Sequence, residues 1–70
     1  IFKENIRIPD RVMIKGTRAV IVDYKFGDKQ LPIYKKQLLE YVELLESMGQ
    51  FSQVEAYVWY ISLGVIDKIV

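Results

Sequence analysis

The stretch that decides the fold is PDRVMIKGTRAVIVDYK, residues 9–25 of a 70-residue chain. Apolar side chains recur at every second position in its first arm and just upstream, at Ile6, Ile8, Val12 and Ile14. This period of two predicts a strand, and residues 18–25, which are rich in β-branched side chains, predict the next one. Gly16 lies between the two arms and can take the positive φ of a tight turn. The stretch therefore predicts a β-hairpin.

Pro9 interrupts the alternation and lacks the N–H of a strand ladder, so it splits or bends the first strand. Downstream, a helical pattern runs over residues 32–48, from Pro32 to just before Gly49. Its apolar stripe has spacings of three and four, at Tyr34, Leu38, Tyr41, Leu45 and Met48. Residues 54–63 and 65–70 predict two more strands. The predicted order is strand, strand, strand, helix, strand, strand, an α+β fold.

The strand predicted over residues 54–63 has apolar side chains at both odd and even positions, so both of its faces are apolar. We therefore expect it at the centre of the sheet, covered on both faces. One helix covers one face only, so a further element or a second copy of the chain should cover the other. The first residue is Ile1 rather than methionine. Together these features lead us to expect a piece of a longer protein.

The chain contains no cysteine and no histidine. Their absence excludes disulfide scaffolds, zinc fingers, cysteine nucleophiles and Ser-His triads. A metal ion would need oxygen ligands, which suit magnesium, manganese or calcium. The sequence has no apolar run near the ~20 residues of a membrane span and no signal peptide, so we expect no membrane contact. The lack of cysteine fits a cytoplasmic protein.

Charge is distributed unevenly along the chain. Residues 1–35 carry eight Lys and Arg against four Asp and Glu, whereas residues 36–70 carry two against five. A basic first half suits an anionic partner such as nucleic acid. Chance variation in a short chain is the simpler explanation of the charge taken alone.

A candidate site lies where the hairpin arms end. For a turn at Gly16-Thr17, paired positions sum to 33, which places Asp10 opposite Asp23. Two close carboxylates repel unless a cation lies between them, and a divalent ion held with a backbone carbonyl would resolve the repulsion. Lys25 leaves the same face of the strand as Asp23 and could bind a phosphate oxygen or orient water. The alternative is a surface salt bridge between Asp23 and Lys25, with Asp10 capping a turn.

The pattern Pro9-Asp10, followed by a strand that ends in Asp23-Tyr24-Lys25, resembles the PD-(D/E)XK nuclease superfamily. More narrowly, it looks like the RecB-like nuclease domain at the C-terminal end of bacterial UvrD/Rep-type helicase-nucleases, the exonuclease V family. Further matches support the narrower resemblance over almost the whole chain: Arg11 after Asp10, Gly27 after Lys25, the Gln37-x-x-x-Tyr41 helix motif, and the Leu63-Gly64 turn.

The resemblance implies a restriction-endonuclease-like core, a mixed sheet with one helix, over residues 1–70 as a partial nuclease domain. It implies a Mg²⁺ or Mn²⁺ ion held by Asp10, Asp23 and the Tyr24 carbonyl, with Lys25 stabilising charge on the phosphate. Arg11, Gln37 and Tyr41 would bind DNA or support the site. The implied partners are single-stranded DNA and a helicase domain in the same chain. The implied setting is DNA repair and recombination in the bacterial cytoplasm.

The chain departs from that family in two ways. It has no helix before its first strand and no histidine, whereas the family's first helix supplies an upstream metal ligand. We therefore expect the isolated chain to be a poor nuclease and to dimerise through the uncovered sheet face. One alternative is a non-catalytic nuclease-fold module that guides DNA or docks a partner. Another is a junction resolvase or a restriction-type endonuclease, which the Gln37 and Tyr41 motif disfavours.

Overall fold

The computed structural model describes residues 8–70. These residues form a four-stranded mixed sheet, and a single helix packs on one of its faces. In chain order the elements are β1 (Arg11–Lys15), β2 (Arg18–Lys25), α1 (Pro32–Ser47), β3 (Gln53–Tyr60) and β4 (Val65–Lys68). The α+β class expected from the sequence is therefore confirmed.

Strands β1 and β2 form the predicted hairpin. They pair antiparallel from Arg11 opposite Val22 to Lys15 opposite Arg18, so paired positions sum to 33 as expected. Gly16 and Thr17 form the turn between them, and Gly16 has φ of 61°. Only glycine takes that conformation at low cost, and this explains why the hairpin turns there.

Helix α1 connects β2 to β3 and makes those two strands parallel neighbours. Proline at its first position lacks an N–H that would have no partner in the helix. The helix ends at Ser47, with Met48 as its cap and Gly49 at φ of 70°, as the glycine signal predicted. It packs mainly on β3, and the shared core consists of Ala19, Ile21, Leu38, Val42, Leu45, Ala56, Val58 and Tyr60.

Strand β3 lies inside the sheet, because the strand order is β1-β2-β3-β4. Its helix-facing residues Ala56, Val58 and Tyr60 are buried, whereas Trp59 on the opposite face is 39% exposed. The central position was predicted correctly, but within residues 8–70 only one face of this strand is covered. The opposite face also exposes Met13 and Ile66, and we call it the open face.

Two predicted boundaries were too long. The strand predicted over residues 54–63 ends at Tyr60, because residues 61–64 form a turn in which Gly64 has φ of 65°. The last strand ends at Lys68 instead of residue 70. The reversal of the chain at Gly64 was predicted, but the apolar Ile61 and Leu63 continued the strand pattern and hid the earlier end of the strand.

The expected first strand around Ile6 lies outside the described residues, apart from Ile8, which belongs to no strand. The described chain therefore shows four of the five predicted strands. Among residues 8–70, no helix has both the length and the apolar character that spanning a membrane would require.

Candidate active site at the end of strand β2

Asp10 and Asp23 lie next to each other where the hairpin ladder ends. The β1–β2 register finishes at Arg11 opposite Val22, so Asp10 is the next residue beside Asp23. The exposed Asp10 carboxylate accepts a hydrogen bond of 2.8 Å from the backbone N–H of Tyr24 through its Oδ2 atom. The hydrogen bond holds Asp10 at the edge of β2 and confirms the proximity that the turn geometry predicted.

The carbonyl of Tyr24 faces the same edge of β2. The next carbonyl, that of Lys25, accepts a hydrogen bond of 2.8 Å from the Ile61 N–H on the β3 side. Successive carbonyls of an extended strand point to opposite edges, so the Tyr24 carbonyl points toward β1 and Asp10. A carboxylate and a backbone carbonyl therefore converge on one strand edge.

Asp23 and Lys25 form a close ion pair on the helix-facing side of β2. The Nζ atom of Lys25 lies 3.1 Å from Oδ2 of Asp23, and their side chains are 12% and 2% exposed respectively. The surface salt bridge considered as an alternative is therefore wrong in one respect, because the pair is largely enclosed. Burying charges is costly unless they are paired, and here each provides the other's counter-charge.

Two aromatic side chains that were not predicted as site residues, those of Tyr34 and Tyr60, complete the surroundings of Lys25. Its Nζ atom lies 4.5 Å from the centre of the Tyr34 ring. The Tyr34 ring lies 6.3 Å from that of Tyr60, which pairs with Lys25 in the β2–β3 register. Burial raises the pKa of Tyr60 and keeps its hydroxyl neutral. The helical apolar stripe included Tyr34, but only the packing of α1 on the sheet places its ring beside Lys25.

The remaining predicted site residues are more scattered. Tyr24 points its ring to the open face, where it packs on Trp59 at 5.7 Å between ring centres. Arg11 is exposed and pairs with Val22, so it belongs to the open face rather than to the side of Lys25. Gln37 and Tyr41 are partly buried on α1, and Tyr41 packs against the core. Their proposed contribution to the site stays a prediction.

A separate polar network lies on the open face. The Glu55 carboxylate accepts hydrogen bonds from the Tyr57 hydroxyl at 2.8 Å and from Arg18 Nε at 2.7 Å. The bond from Tyr57, followed by that from Arg18, holds the pKa of Glu55 below its ordinary value, although partial burial opposes the shift. The same bond raises the pKa of Tyr57. This network ties β2 to β3 far from the ladder end that holds Asp10.

The donor set suits a hard divalent cation. Asp10, Asp23 and the Tyr24 carbonyl supply only oxygen atoms, which magnesium and manganese accept. Among residues 8–70, no three Asp, Glu, His or Cys side chains gather into a metal-binding group. A cation at this strand end could take ligands from Asp10, Asp23 and the Tyr24 carbonyl, and water or phosphate oxygens would have to complete its coordination.

The chain matches no protein-family model, no curated protein and no solved structure.

Proposed function

We propose that the chain forms part of a Mg²⁺- or Mn²⁺-dependent DNA nuclease that hydrolyses phosphodiester bonds, as an exonuclease. The observation that supports this proposal is the carboxylate pair beside an enclosed lysine at the end of β2. Carboxylates bind the cation and a lysine binds the phosphate, and both are parts of metal-dependent phosphoryl transfer. The order of these residues in the sequence provides the second support, through the resemblance described above.

Each residue of the site has a distinct proposed role. Asp10, Asp23 and the Tyr24 carbonyl hold the cation. A bound magnesium ion would activate water and neutralise charge on the phosphate. Lys25 directs its ammonium group at a phosphate oxygen and stabilises the charge that develops there. Asp10 is kept in place by the hydrogen bond that the Tyr24 N–H donates to its Oδ2 atom.

The substrate in this proposal is single-stranded DNA, supplied by a helicase domain of the same protein during DNA repair or recombination. The eight basic residues among positions 1–35 support an anionic substrate.

We also propose that the isolated chain dimerises through its open face, because Met13, Trp59 and Ile66 are exposed there. Sedimentation of the chain at increasing concentration tests this, and a monomer at all concentrations would contradict it.

The second candidate is a non-catalytic module that guides DNA or docks a partner. The observation that favours it is the closeness of the ion pair, because Lys25 is 12% exposed and already lies 3.1 Å from Asp23. In this interpretation the pair stabilises the fold and does not act on phosphate. The two candidates differ in catalysis, because only the nuclease requires both a divalent cation bound by the carboxylates and cleavage of DNA.

Manganese titration of the isotope-labelled chain tests the proposal. Mn²⁺ is paramagnetic and should broaden the amide signals of residues near its site, those of Asp10, Asp23 and Tyr24 first. Asp10→Asn should abolish this local broadening. The matched control is Asp28→Asn, which removes an exposed aspartate in the loop after β2 and should leave the broadening unchanged.

Cleavage is measured separately with end-labelled single-stranded DNA and magnesium. We expect weak cleavage by the chain and none by Asp23→Ala. Local Mn²⁺ binding without any cleavage, at high protein concentration and long incubation, would favour the non-catalytic module. Broadening that is uniform over all surface carboxylates would refute a built cation site.

A further inference from the structure

The ammonium group of Lys25 lies between a carboxylate and an aromatic ring. Its Nζ atom is 3.1 Å from Oδ2 of Asp23 and 4.5 Å from the centre of the Tyr34 ring. A cation within about 6 Å of a ring centre is attracted by the negative face of the ring. Two different interactions therefore act on one flexible side chain.

The fold holds the Tyr34 ring in this place. Tyr34 lies in the first turn of α1, and its N–H donates a hydrogen bond of 3.1 Å to the Leu31 carbonyl. On the sheet side, its ring packs at 6.3 Å from that of the buried Tyr60. Since Tyr60 and Lys25 are register neighbours on β3 and β2, the ring is placed by the same strand pairing that places the lysine.

We infer that Tyr34 is a positioning residue for Lys25, which holds the ammonium group in the orientation needed to contact a phosphate oxygen. The catalytic consequence of this inference rests on the proposed nuclease function. Lysine is a point charge on a four-carbon stem with considerable rotamer freedom, so it needs support to act at one place. The ring attracts the charge without accepting a directed hydrogen bond, and N–H donors of Lys25 remain available for phosphate.

A purely structural role for Tyr34 is the competing explanation. The ring is partly buried and packs against the core, so its loss would loosen the helix whatever Lys25 does. The packing role and the positioning role can be distinguished with a variant that keeps the shape of the ring and changes only its charge distribution. Fluorination of the ring does this, because it removes the negative charge of the ring face.

The experiment compares Tyr34→Phe with Tyr34→pentafluorophenylalanine in the full 70-residue chain. The readout is the mobility of the Lys25 side chain, measured by ¹³C relaxation at its ε carbon. We expect an ordered ε carbon in the wild type and in Tyr34→Phe, and a mobile one in the fluorinated variant. Phe51→Leu, which trims another ring packed on the core, is the control for general loosening and should leave Lys25 ordered. Equal order in the phenylalanine and pentafluorophenylalanine variants would overturn the inference.

Binding of a short single-stranded oligonucleotide in the presence of Ca²⁺ tests the consequence for phosphate. The fluorinated variant should bind up to about fivefold more weakly than Tyr34→Phe, because a mobile ammonium group must be ordered when it contacts the phosphate. In a Lys25→Met background the two variants should bind equally. An equal loss in both backgrounds would show that Tyr34 does not act through Lys25. If the wild type binds no DNA, the proposed function fails, whereas the relaxation measurement still decides the inference about Tyr34.

Discussion

Replacing Lys25 by methionine removes the positive charge that lies 3.1 Å from the Asp23 carboxylate. Methionine keeps the length and apolar character of the lysine stem, so the change acts mainly through charge. The Asp23 side chain, which is 2% exposed, cannot recover this interaction from bulk water. We therefore expect Lys25→Met to destabilise the fold strongly, although it leaves the packing of the helix in place.

The magnitude follows from the geometry. At this separation and an effective dielectric constant near 20, the attraction of unit charges is about 5 kcal/mol. Removing one partner of a buried pair typically costs about 3–5 kcal/mol. Lys25 keeps some contact with solvent, so we expect a cost of about 3 kcal/mol, at the lower end of that range. A chain of this size has a free energy of unfolding of about 4–10 kcal/mol, so the variant should remain folded with a clearly reduced stability.

Urea unfolding followed by circular dichroism measures the cost through a double-mutant cycle. The cycle comprises the wild type, Lys25→Met, Asp23→Asn and the double variant. Because the double variant leaves no buried charge uncompensated, its loss of stability should be well below the sum of the two single losses. We expect a coupling energy of about 2–3 kcal/mol between the two sites.

Additive losses would refute this reasoning. They would mean that water or another group stabilises Asp23 without Lys25, and that the enclosed ion pair contributes nothing specific. A coupling that disappears in about 1 M salt would likewise show that the pair behaves as a solvent-exposed one, since salt screens exposed charges far more than buried ones.

Other predictions concern pH, the hairpin turn and the core. Because the pKa of Glu55 is lowered in the folded state, its stabilising effect is present above the ordinary carboxyl pKa and is lost as pH falls through the lowered value. Thermal melts of Glu55→Gln should therefore depend less on pH in the acidic range than those of the wild type, and parallel curves would contradict this. Gly16→Ala should cost about 1 kcal/mol in urea unfolding, because φ is 61° there, whereas Gly27→Ala, without a positive φ, should cost less. Ile21→Val, at a fully buried position, should cost about 1 kcal/mol, and an unchanged unfolding midpoint would show a loosely packed core.

Local signals in the sequence were sufficient for the hairpin and for the helix. The turn at Gly16-Thr17 is built from residues that are adjacent in the chain, so the register that brings Asp10 to Asp23 follows from a short-range rule. The helix ends similarly depend on Pro32 and Gly49, which act on their own backbone. Such features can be predicted because no distant contact decides them.

Other features depended on contacts between distant residues. The parallel pairing of β2 with β3 joins positions 35 residues apart, such as Lys25 and Tyr60, and no local pattern specifies that register. The turn predicted at Gly64 begins earlier than expected, directly after Tyr60, because the apolar Ile61 and Leu63 continued the strand pattern. The enclosure of Lys25 was missed because it requires the helix and two strands to pack together.

The sequence by itself therefore determined the hairpin, its register, the limits of the helix and the carboxylate pair of Asp10 and Asp23. These features depend on periodicity, on glycine and proline, and on the fixed geometry of a short turn. Only the tertiary structure decided which face of the sheet is covered, and that Tyr34 and Tyr60 lie beside the lysine. The physical reason is that burial and aromatic contacts are properties of packed elements, and a linear pattern does not specify how those elements meet.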